Sequence, residues 1–203
     1  MQKKLIARKG KKKAHHFSHY KAVDCGYGLQ TALHIKAKEI IEKYKIFRIP
    51  FFEVKYKNIV ESITKERLIK FDSVKLERRQ GEIIPDVIGI LKGHKIFIEI
   101  FVTHKVSDKK KEYIRNEINV SCIEIDLSNL YQNNRNIENR ALEEKIIHNI
   151  ESKKWIHNSL YKSVKEKAKT KWLEIEREQK ARRLKNEREQ KARRLKNERE
   201  QKA

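Results

Sequence analysis

The chain has 203 residues, of which 50 are Lys or Arg and 28 are Asp or Glu, so its net charge at pH 7 is +22. That length allows one core domain of ordinary size and an extension. Residues 161–203 hold 17 basic and 8 acidic residues, a net +9, which leaves +13 for residues 1–160. A basic excess in both parts points to a polyanionic partner, most commonly nucleic acid. A lysine-rich composition typical of AT-rich genomes explains part of the count.

The cysteines and the hydropathy pattern bear on the compartment. Cys25 and Cys122 are far apart and have no CxxC partner, which fits a reducing cytoplasm. No apolar run of signal-peptide length follows the basic N-terminus, and no window approaches the length of a membrane span. We therefore expect a soluble, cytoplasmic protein that does not bind membranes.

The N-terminal segment, residues 1–21, contains eight Lys or Arg and no acidic residue. Such a composition predicts a disordered or edge-strand arm that can lie along phosphates. Five nearby side chains could supply nitrogen or sulfur ligands to zinc, but their spacing matches no standard site, so structural or phosphate-contacting roles are favoured: His15, His16, His19, Cys25 and His34.

A helix is predicted from Leu29 to about Tyr44, where apolar residues recur at intervals of three and four. His34 and Lys38 lie one turn apart on the flank of its apolar stripe. They could point at a scissile phosphate, or they could be polar residues at the boundary of a buried face. After this helix, residues 46–60 predict an edge strand with Pro50 at its margin, and Ile69 to Glu77 predict the next strand.

The central feature is a predicted β-hairpin, with arms from Ile83 to Leu91 and from Lys95 to Thr103 and a two-residue turn between them. A two-residue turn determines the register, so counting outward from it places Asp86 opposite Glu99. Facing side chains have Cβ atoms about 5 Å apart.

Two carboxylates at that distance repel each other unless a cation or a proton lies between them. Their oxygens suit Mg²⁺ or Mn²⁺, which would activate water for phosphodiester hydrolysis. The alternative is that Asp86 and Glu99 are solvated or paired with some of the many lysines.

The following segment predicts a helix from Asp108 to Ile118 with Ser107 as its N-cap, and then a strand from Ser121 to Leu127. A polar loop over 129–139 leads to a helix over 141–158 that packs back on the core. A hairpin followed by strand, helix and strand implies an α/β fold with a mixed sheet flanked by helices.

The C-terminal tail, residues 159–203, contains an 11-residue repeat, EREQKARRLKN, at 176–186 and again at 187–197. Eleven residues make almost three helical turns, so Ala181, Leu184, Ala192 and Leu195 form one narrow stripe. The stripe predicts a long, solvated helix held by ion pairs at three and four residues; weak self-association as a coiled coil, or a rod that contacts DNA, is the alternative.

The chain resembles the competence protein CoiA-like branch of the PD-(D/E)xK nuclease superfamily. Pro85-Asp86 and Glu99-Ile100-Phe101 resemble the nuclease motif, and further similar stretches occur in the same order as in that branch: HHFSH at 15–19, TALHIKAKEI at 31–40, VKLE at 74–77, PDV at 85–87, IEIFVTHKV at 98–106, IEIDLS at 123–128 and KKWIHN at 153–158. The resemblance covers residues 14–158 and implies a restriction-endonuclease-like core over 22–158. In relatives a cysteine-bearing segment precedes HFSH, so a shorter version is expected here.

The resemblance also implies functional residues. Asp86 and Glu99 would bind Mg²⁺ or Mn²⁺, and Glu77 would be a third acid near the metal. The chain departs from the motif at Phe101, where the motif has a lysine, so Lys38 or His104 is expected to act in its place; His34, Lys38 and Lys105 are expected to contact nucleic acid. Gln30 stands where relatives tend to have an acid.

Three functions remain after these observations. The first is a metal-dependent DNA nuclease, with a role in DNA uptake or recombination implied by the resemblance. The second is a nuclease-fold protein that has lost catalysis and binds nucleic acid, which Phe101 and Gln30 favour. The third is an interaction protein that works through its helical tail. Two acids facing each other argue against the second, because a pure binder gains nothing from carboxylates near phosphates.

Overall fold

The computed structural model describes residues 5–8, 16–19, 26–132 and 138–200. Contacts divide the chain into two compact units: unit 1 comprises residues 1–51 and 65–159, and unit 2 comprises residues 52–64 and 160–203. The elements follow in chain order: β1 Leu5–Arg8, β2 His16–His19, α1 Gly26–Tyr44, β3 Ile46–Ile49, β4 Phe52–Tyr56, β5 Ile59–Thr64, β6 Arg67–Lys70, β7 Ser73–Leu76, β8 Val87–Leu91, β9 His94–Phe101, α2 Asp108–Tyr113, a π-helix Ile114–Ile118, β10 Ser121–Asp126, α3 Ser128–Gln132, α4 Asn139–Ile147, β11 Lys153–His157 and α5 Tyr161–Glu200.

The main sheet of unit 1 has five strands in the order β11-β10-β9-β8-β7. Its neighbours are antiparallel except for β9 and β10, which are parallel and are connected by α2 and the π-helix. The fold is therefore mixed α/β with sheets flanked by helices and a long C-terminal helix, as the sequence predicted. Two-stranded sheets pair β1 with β2 and β3 with β6 in the same unit.

Both faces of the main sheet are covered. The buried stripe of α1 lies in one apolar cluster with Val87, Ile98, Ile100, Ile123 and Ile125. The other face forms a second cluster around Phe97 and Ile114, the first residue of the π-helix. Burial on both faces explains why β9 and β10 are rich in apolar residues at successive positions.

The predicted hairpin register is confirmed. β8 pairs with β9 from Leu91 opposite His94 to Val87 opposite Ile98. The turn residues Lys92 and Gly93 have φ values of 49° and 78°, which is the left-handed backbone that a two-residue turn of this type needs at both positions. The strands themselves are shorter than predicted, since β8 begins at Val87 and β9 ends at Phe101.

Several predicted elements have other boundaries or another type. Residues 46–60 form β3, β4 and the start of β5 instead of one edge strand, and the strand predicted over 69–77 is divided between β6 and β7. The helix predicted over 141–158 ends at Ile147, and Trp155 lies on the strand β11. A turn causes this change, because Asn149 Oδ1 accepts a hydrogen bond from Ser152 N. Ser107 does cap α2, with Oγ accepting from Lys110 N.

Unit 2 consists of the β4–β5 hairpin packed against the first half of α5. Two aromatic pairs join them: Phe52 with Tyr161, and Tyr56 with Trp172. A salt bridge of 3.0 Å joins Lys171 Nζ to Glu61 Oε1. From residue 176 to residue 199 every described side chain of α5 is exposed.

Few of the ion pairs predicted along the tail are present in the described part of α5. Among the described side chains of α5, one intrahelical pair forms, between Lys169 and Glu166 at 3.7 Å. Leu184 and Leu195 are exposed at 47% and 48%, so the narrow apolar stripe is open to solvent. Of the helices that the structure describes, none is both long enough and apolar enough to cross a membrane.

Candidate active site

Asp86 lies where the backbone pairing of the hairpin ends. The last ladder pair joins Val87 to Ile98, and the next residues outward are Asp86 and Glu99. The Asp86 side chain replaces a backbone acceptor here, because its Oδ2 accepts a hydrogen bond from Ile100 N at 2.8 Å. The two predicted carboxylates are therefore neighbours at the end of the β8–β9 ladder.

Glu99 is 4% exposed, and its two oxygens have different surroundings. Oε2 accepts a hydrogen bond of 2.8 Å from Lys110 Nζ, which also donates to Ile84 O. Oε1 is buried and has no hydrogen-bond partner among the described residues. Burial raises the pKa of Glu99 to about 7, Lys110 opposes this rise, and the carboxylates of Asp86 and Glu124 add to it.

The helix α1 brings a second group of polar side chains to the same place. His34 Nε2 lies 2.9 Å from Ile100 O and 3.3 Å from Asp86 Oδ2. One turn later, Lys38 Nζ donates to Glu77 Oε1 at 2.5 Å, and this hydrogen bond lowers the pKa of Glu77. The structure thus brings His34, Lys38, Glu77 and Asp86 together, although the Lys38 ammonium is paired with Glu77 instead of with Asp86.

His104 and Lys105 lie apart from this group. His104 is exposed, and its Nδ1 is 2.8 Å from Thr103 Oγ1. The Lys105 ammonium lies 5.4 Å from the centre of the Phe101 ring, a cation–π distance. Neither side chain has a described contact with Asp86 or Glu99. Phe101 follows Glu99 by two positions on β9 and has no polar side-chain atom.

Sequence reasoning missed Lys110, the cation that binds Glu99. It belongs to a run of three lysines in the first turns of α2, Lys109 to Lys111, and the run gives no sign of which one faces the sheet. The N-cap is the only local signal: Ser107 Oγ accepts from the Lys110 backbone, which fixes the start of the helix and hence the direction of each lysine.

Glu124 was missed for a different reason. It lies opposite Glu99 in the parallel β9–β10 pair and is 1% exposed. Val106 N donates to its Oε2 at 3.2 Å, and the Lys154 ammonium lies 2.8 Å from Oε1 as an ion pair without hydrogen-bond geometry. Strand alternation places Glu124 on the face opposite to Ile123 and Ile125, but the strand that lies beside it could not be deduced from the sequence.

A groove of about 510 Å³ opens next to Lys110. Ile84, Tyr113 and Asn116 line it together with Lys110 itself, and Asn116 comes from the π-helix. Departures from regular α-helix of this kind are frequent at functional sites. The groove therefore lies on the side of Lys110, whose ammonium contacts Glu99.

The site offers two carboxylates to a metal ion. Within the described ranges, no group of three or more His, Cys, Asp and Glu side chains could hold a metal. Mg²⁺ is commonly bound by one or two carboxylates, with water and substrate phosphates completing its shell, and Asp86 with the unpartnered Oε1 of Glu99 fits that pattern. His15 and Cys25, for which the sequence favours structural or phosphate-contacting roles over zinc binding, lie outside the described residues, as do the side chains of His16 and His19.

Comparisons with protein-family models, with curated proteins and with solved structures found no match to this chain. The case for a function therefore depends on the residues of the site and on the motif resemblance.

Proposed function

We propose that this protein is a metal-dependent DNA nuclease of the CoiA-like type, built on a restriction-endonuclease-like core in unit 1. The order of elements supports the proposal: a helix, an antiparallel hairpin with a third strand, a crossover helix and a parallel strand form the mixed sheet expected from the resemblance. The motif residues Asp86 and Glu99 lie together at the end of one ladder of that sheet.

The Glu99 carboxylate is the single observation that carries the proposal. One of its oxygens is buried without a donor, while a second carboxylate lies beside it. Lys110 already supplies one cation to Oε2, and the buried Oε1 without a donor favours a second cation or a proton. Because burial raises the pKa of Glu99 to about 7, the carboxyl holds a proton below neutral pH, and a divalent cation would take its place.

The residues have distinct roles in this proposal. Asp86 and Glu99 would hold Mg²⁺ or Mn²⁺, which acts as a Lewis acid and lowers the pKa of bound water. His34 Nε2 donates to Ile100 O, which holds the imidazole 3.3 Å from Asp86 Oδ2, beside that carboxylate. Lys38 lowers the pKa of Glu77 and keeps it ionised next to the same site, and this pair would contact the phosphate of the substrate.

Lys110 supplies the cation that Phe101 cannot. Its ammonium already contacts Glu99 Oε2 from a helix, whereas the lysine of the motif would reach the site from the strand. From that position it can stabilise negative charge that develops on the phosphate. We therefore assign the function of the motif lysine to Lys110 in preference to Lys38 or His104.

The test is cleavage of labelled single- and double-stranded DNA in Mg²⁺ or Mn²⁺ by the wild type, Asp86→Ala and Glu99→Ala. Asp72→Ala is the matched control: Asp72 Oδ2 accepts from Lys92 N at 2.6 Å at the turn end of the hairpin, as Asp86 accepts from Ile100 N. We expect cleavage to fall below about one hundredth of the wild-type rate in the first two variants and to persist in the control. Cleavage that survives both substitutions would refute the assignment.

A second function, nucleic-acid binding without cleavage, is favoured by the phenylalanine at position 101 and by the lysines that already pair with Glu77 and Glu99. In that case the same assay would show salt-sensitive binding and no cleavage with either metal. Affinity would be unchanged or tighter when the acids are removed.

A further inference from the structure

A groove of about 680 Å³ lies within unit 2, where α5 extends beyond the end of the β4–β5 hairpin. Asn58 of the hairpin turn and one face of the helix line it, including Trp172, Arg177, Lys180 and Arg183. No residue of the proposed nuclease site takes part. The groove combines one large aromatic side chain with three cations and one carboxylate, that of Glu176.

Trp172 is held in place by the hairpin. Its ring meets Tyr56 edge to face, with centroids 6.0 Å apart and an interplanar angle of 70°. The ammonium of Lys57, the first turn residue, lies 5.9 Å from the Trp172 ring. The indole is half-buried and lines the groove, so it offers a ring surface whose orientation is already determined.

The three cations of the groove are available to an external anion. Arg177, Lys180 and Arg183 are exposed, and none of them forms an ion pair with a described carboxylate. Lys171, six residues before Arg177, is by contrast paired with Glu61. The three side chains extend over about 9 Å along the helix axis, since each residue adds about 1.5 Å.

We infer that this groove binds single-stranded nucleic acid, with one base stacked on Trp172 and the neighbouring phosphates on Arg177, Lys180 and Arg183. A positively charged groove with an aromatic platform is the usual design of sites that bind single strands without sequence preference. A duplex hides the faces of its bases, and a run of Asp and Glu residues has no ring to stack on the indole. Neither of these occupants uses Trp172.

The binding site does not depend on the nuclease proposal. If unit 1 cleaves DNA, the groove holds the substrate strand; if it does not, the groove still binds. Binding is therefore measured in EDTA with the full chain, where no metal-dependent cleavage takes place.

The 11-residue repeat provides a matched control. Arg177, Lys180 and Arg183 belong to the first copy, and the same positions of the second copy are Arg188, Lys191 and Arg194. The second set has the same spacing and the same sequence around it, but no hairpin and no tryptophan next to it. Changing either set to glutamine removes three charges from exposed helix positions, and circular dichroism checks that helix content is unchanged.

We expect the substitutions Arg177→Gln, Lys180→Gln and Arg183→Gln together to weaken binding of a labelled oligothymidine and to flatten its salt dependence. Three phosphate contacts contribute about 2 to the magnitude of the slope of log K against log salt concentration. When the salt concentration rises from 50 to 200 mM, the affinity of the wild type should therefore fall about 20-fold more than the affinity of the triple variant. The second-copy variant should keep the wild-type slope. Equal losses in the two variants would overturn the inference and indicate a uniformly solvated basic helix.

Substitutions of Trp172 provide a second test of the inference. Trp172→Leu should weaken single-strand binding about 5- to 100-fold, the range of one lost base–aromatic stack, while Trp172→Phe should recover part of it. Binding of a matched duplex should change less than threefold in either variant, by the same reasoning. A wild type that binds polyglutamate as tightly as the oligonucleotide, or a Trp172→Leu variant with unchanged affinity, would overturn the inference.

Discussion

Replacing Glu99 by glutamine removes one charge from a buried position and keeps the size of the side chain and an acceptor for Lys110. Glutamine here imitates the protonated carboxyl. The pKa of Glu99 is about 7 in the folded protein against an ordinary value of 4.5. That difference corresponds to about 3 kcal/mol at 1.36 kcal/mol for each pH unit. Glu99→Gln should therefore stabilise the metal-free protein by about 3 kcal/mol at pH 8.

The sign follows from the protons bound in each state. Below pH 4.5 the carboxyl is protonated in both the folded and the unfolded protein, so wild type and variant have similar stability. Between pH 4.5 and about 7 unfolding releases a proton, and the wild type loses stability relative to the variant as the pH rises. Above pH 7 both states are ionised and the gap stays constant.

Urea unfolding measures this gap, and Trp155 can report on unit 1. The chain has two tryptophans, so a Trp172→Phe background leaves Trp155, whose Nε1 donates to Pro50 O. Because other titrating groups are common to both proteins, the difference in unfolding free energy isolates Glu99. A gap that is the same from pH 4.5 to pH 8.5, or a variant less stable than wild type at pH 8, would refute the argument that burial dominates over Lys110.

The same variants test the metal. A ligand that binds only the folded state adds about 2.7 kcal/mol to the free energy of unfolding when its concentration is 100 times its dissociation constant. Mg²⁺ or Mn²⁺ should therefore stabilise the wild type at pH 8 and leave Glu99→Gln unchanged, with EDTA reversing the effect. If the metal stabilises neither protein while the pH-dependent gap is present, then Glu99 is buried as described but does not bind a cation.

Two further predictions concern buried or paired lysines. Lys110→Met should lower the cleavage rate about 100- to 1,000-fold, as expected when a group that stabilises developing charge is lost; a folded variant with wild-type rate would assign the role of the motif lysine to another residue. Burial, aided by the charge of Arg48, lowers the pKa of Lys153 from 10.5 to about 7. Between pH 7 and pH 10.5 the unfolded protein therefore binds one more proton than the folded protein, so the free energy of unfolding should rise with pH over this range. Lys153→Met should remove this rise in urea unfolding, and an unchanged slope would contradict it.

The parts of the fold that were predicted correctly depend on local rules. The apolar stripe of α1, the Ser107 cap and the hairpin register each follow from residues a few positions apart. β11 was mistaken for the end of a helix because Leu142, Ile146 and Ile150 continue a helical spacing toward it. The turn that ends α4 is made by an Asn149 side chain, without a proline or glycine to mark it.

In the candidate site too, the features that could be predicted depend on residues close in the chain. The pairing of Asp86 with Glu99 could be derived because a two-residue turn transmits its register along both arms. Lys110 could not be chosen from three successive lysines, since the face of α2 that packs on the sheet is set by tertiary contacts. The position of Glu124 beside Glu99 could not be predicted, because no local sequence signal shows that β10 lies parallel to β9.

The amino-acid sequence by itself determined the basic charge, the hairpin and the two facing carboxylates, because each of these follows from composition or from residues close in the chain. Tertiary structure decided the environment of Glu99. It buried the carboxylate under α2, placed one ammonium on Oε2, left Oε1 without a donor and aligned Glu124 beside it. These contacts join segments 11 to 25 residues apart through a crossover connection, and burial and charge pairing at such distances depend on how the whole sheet is covered.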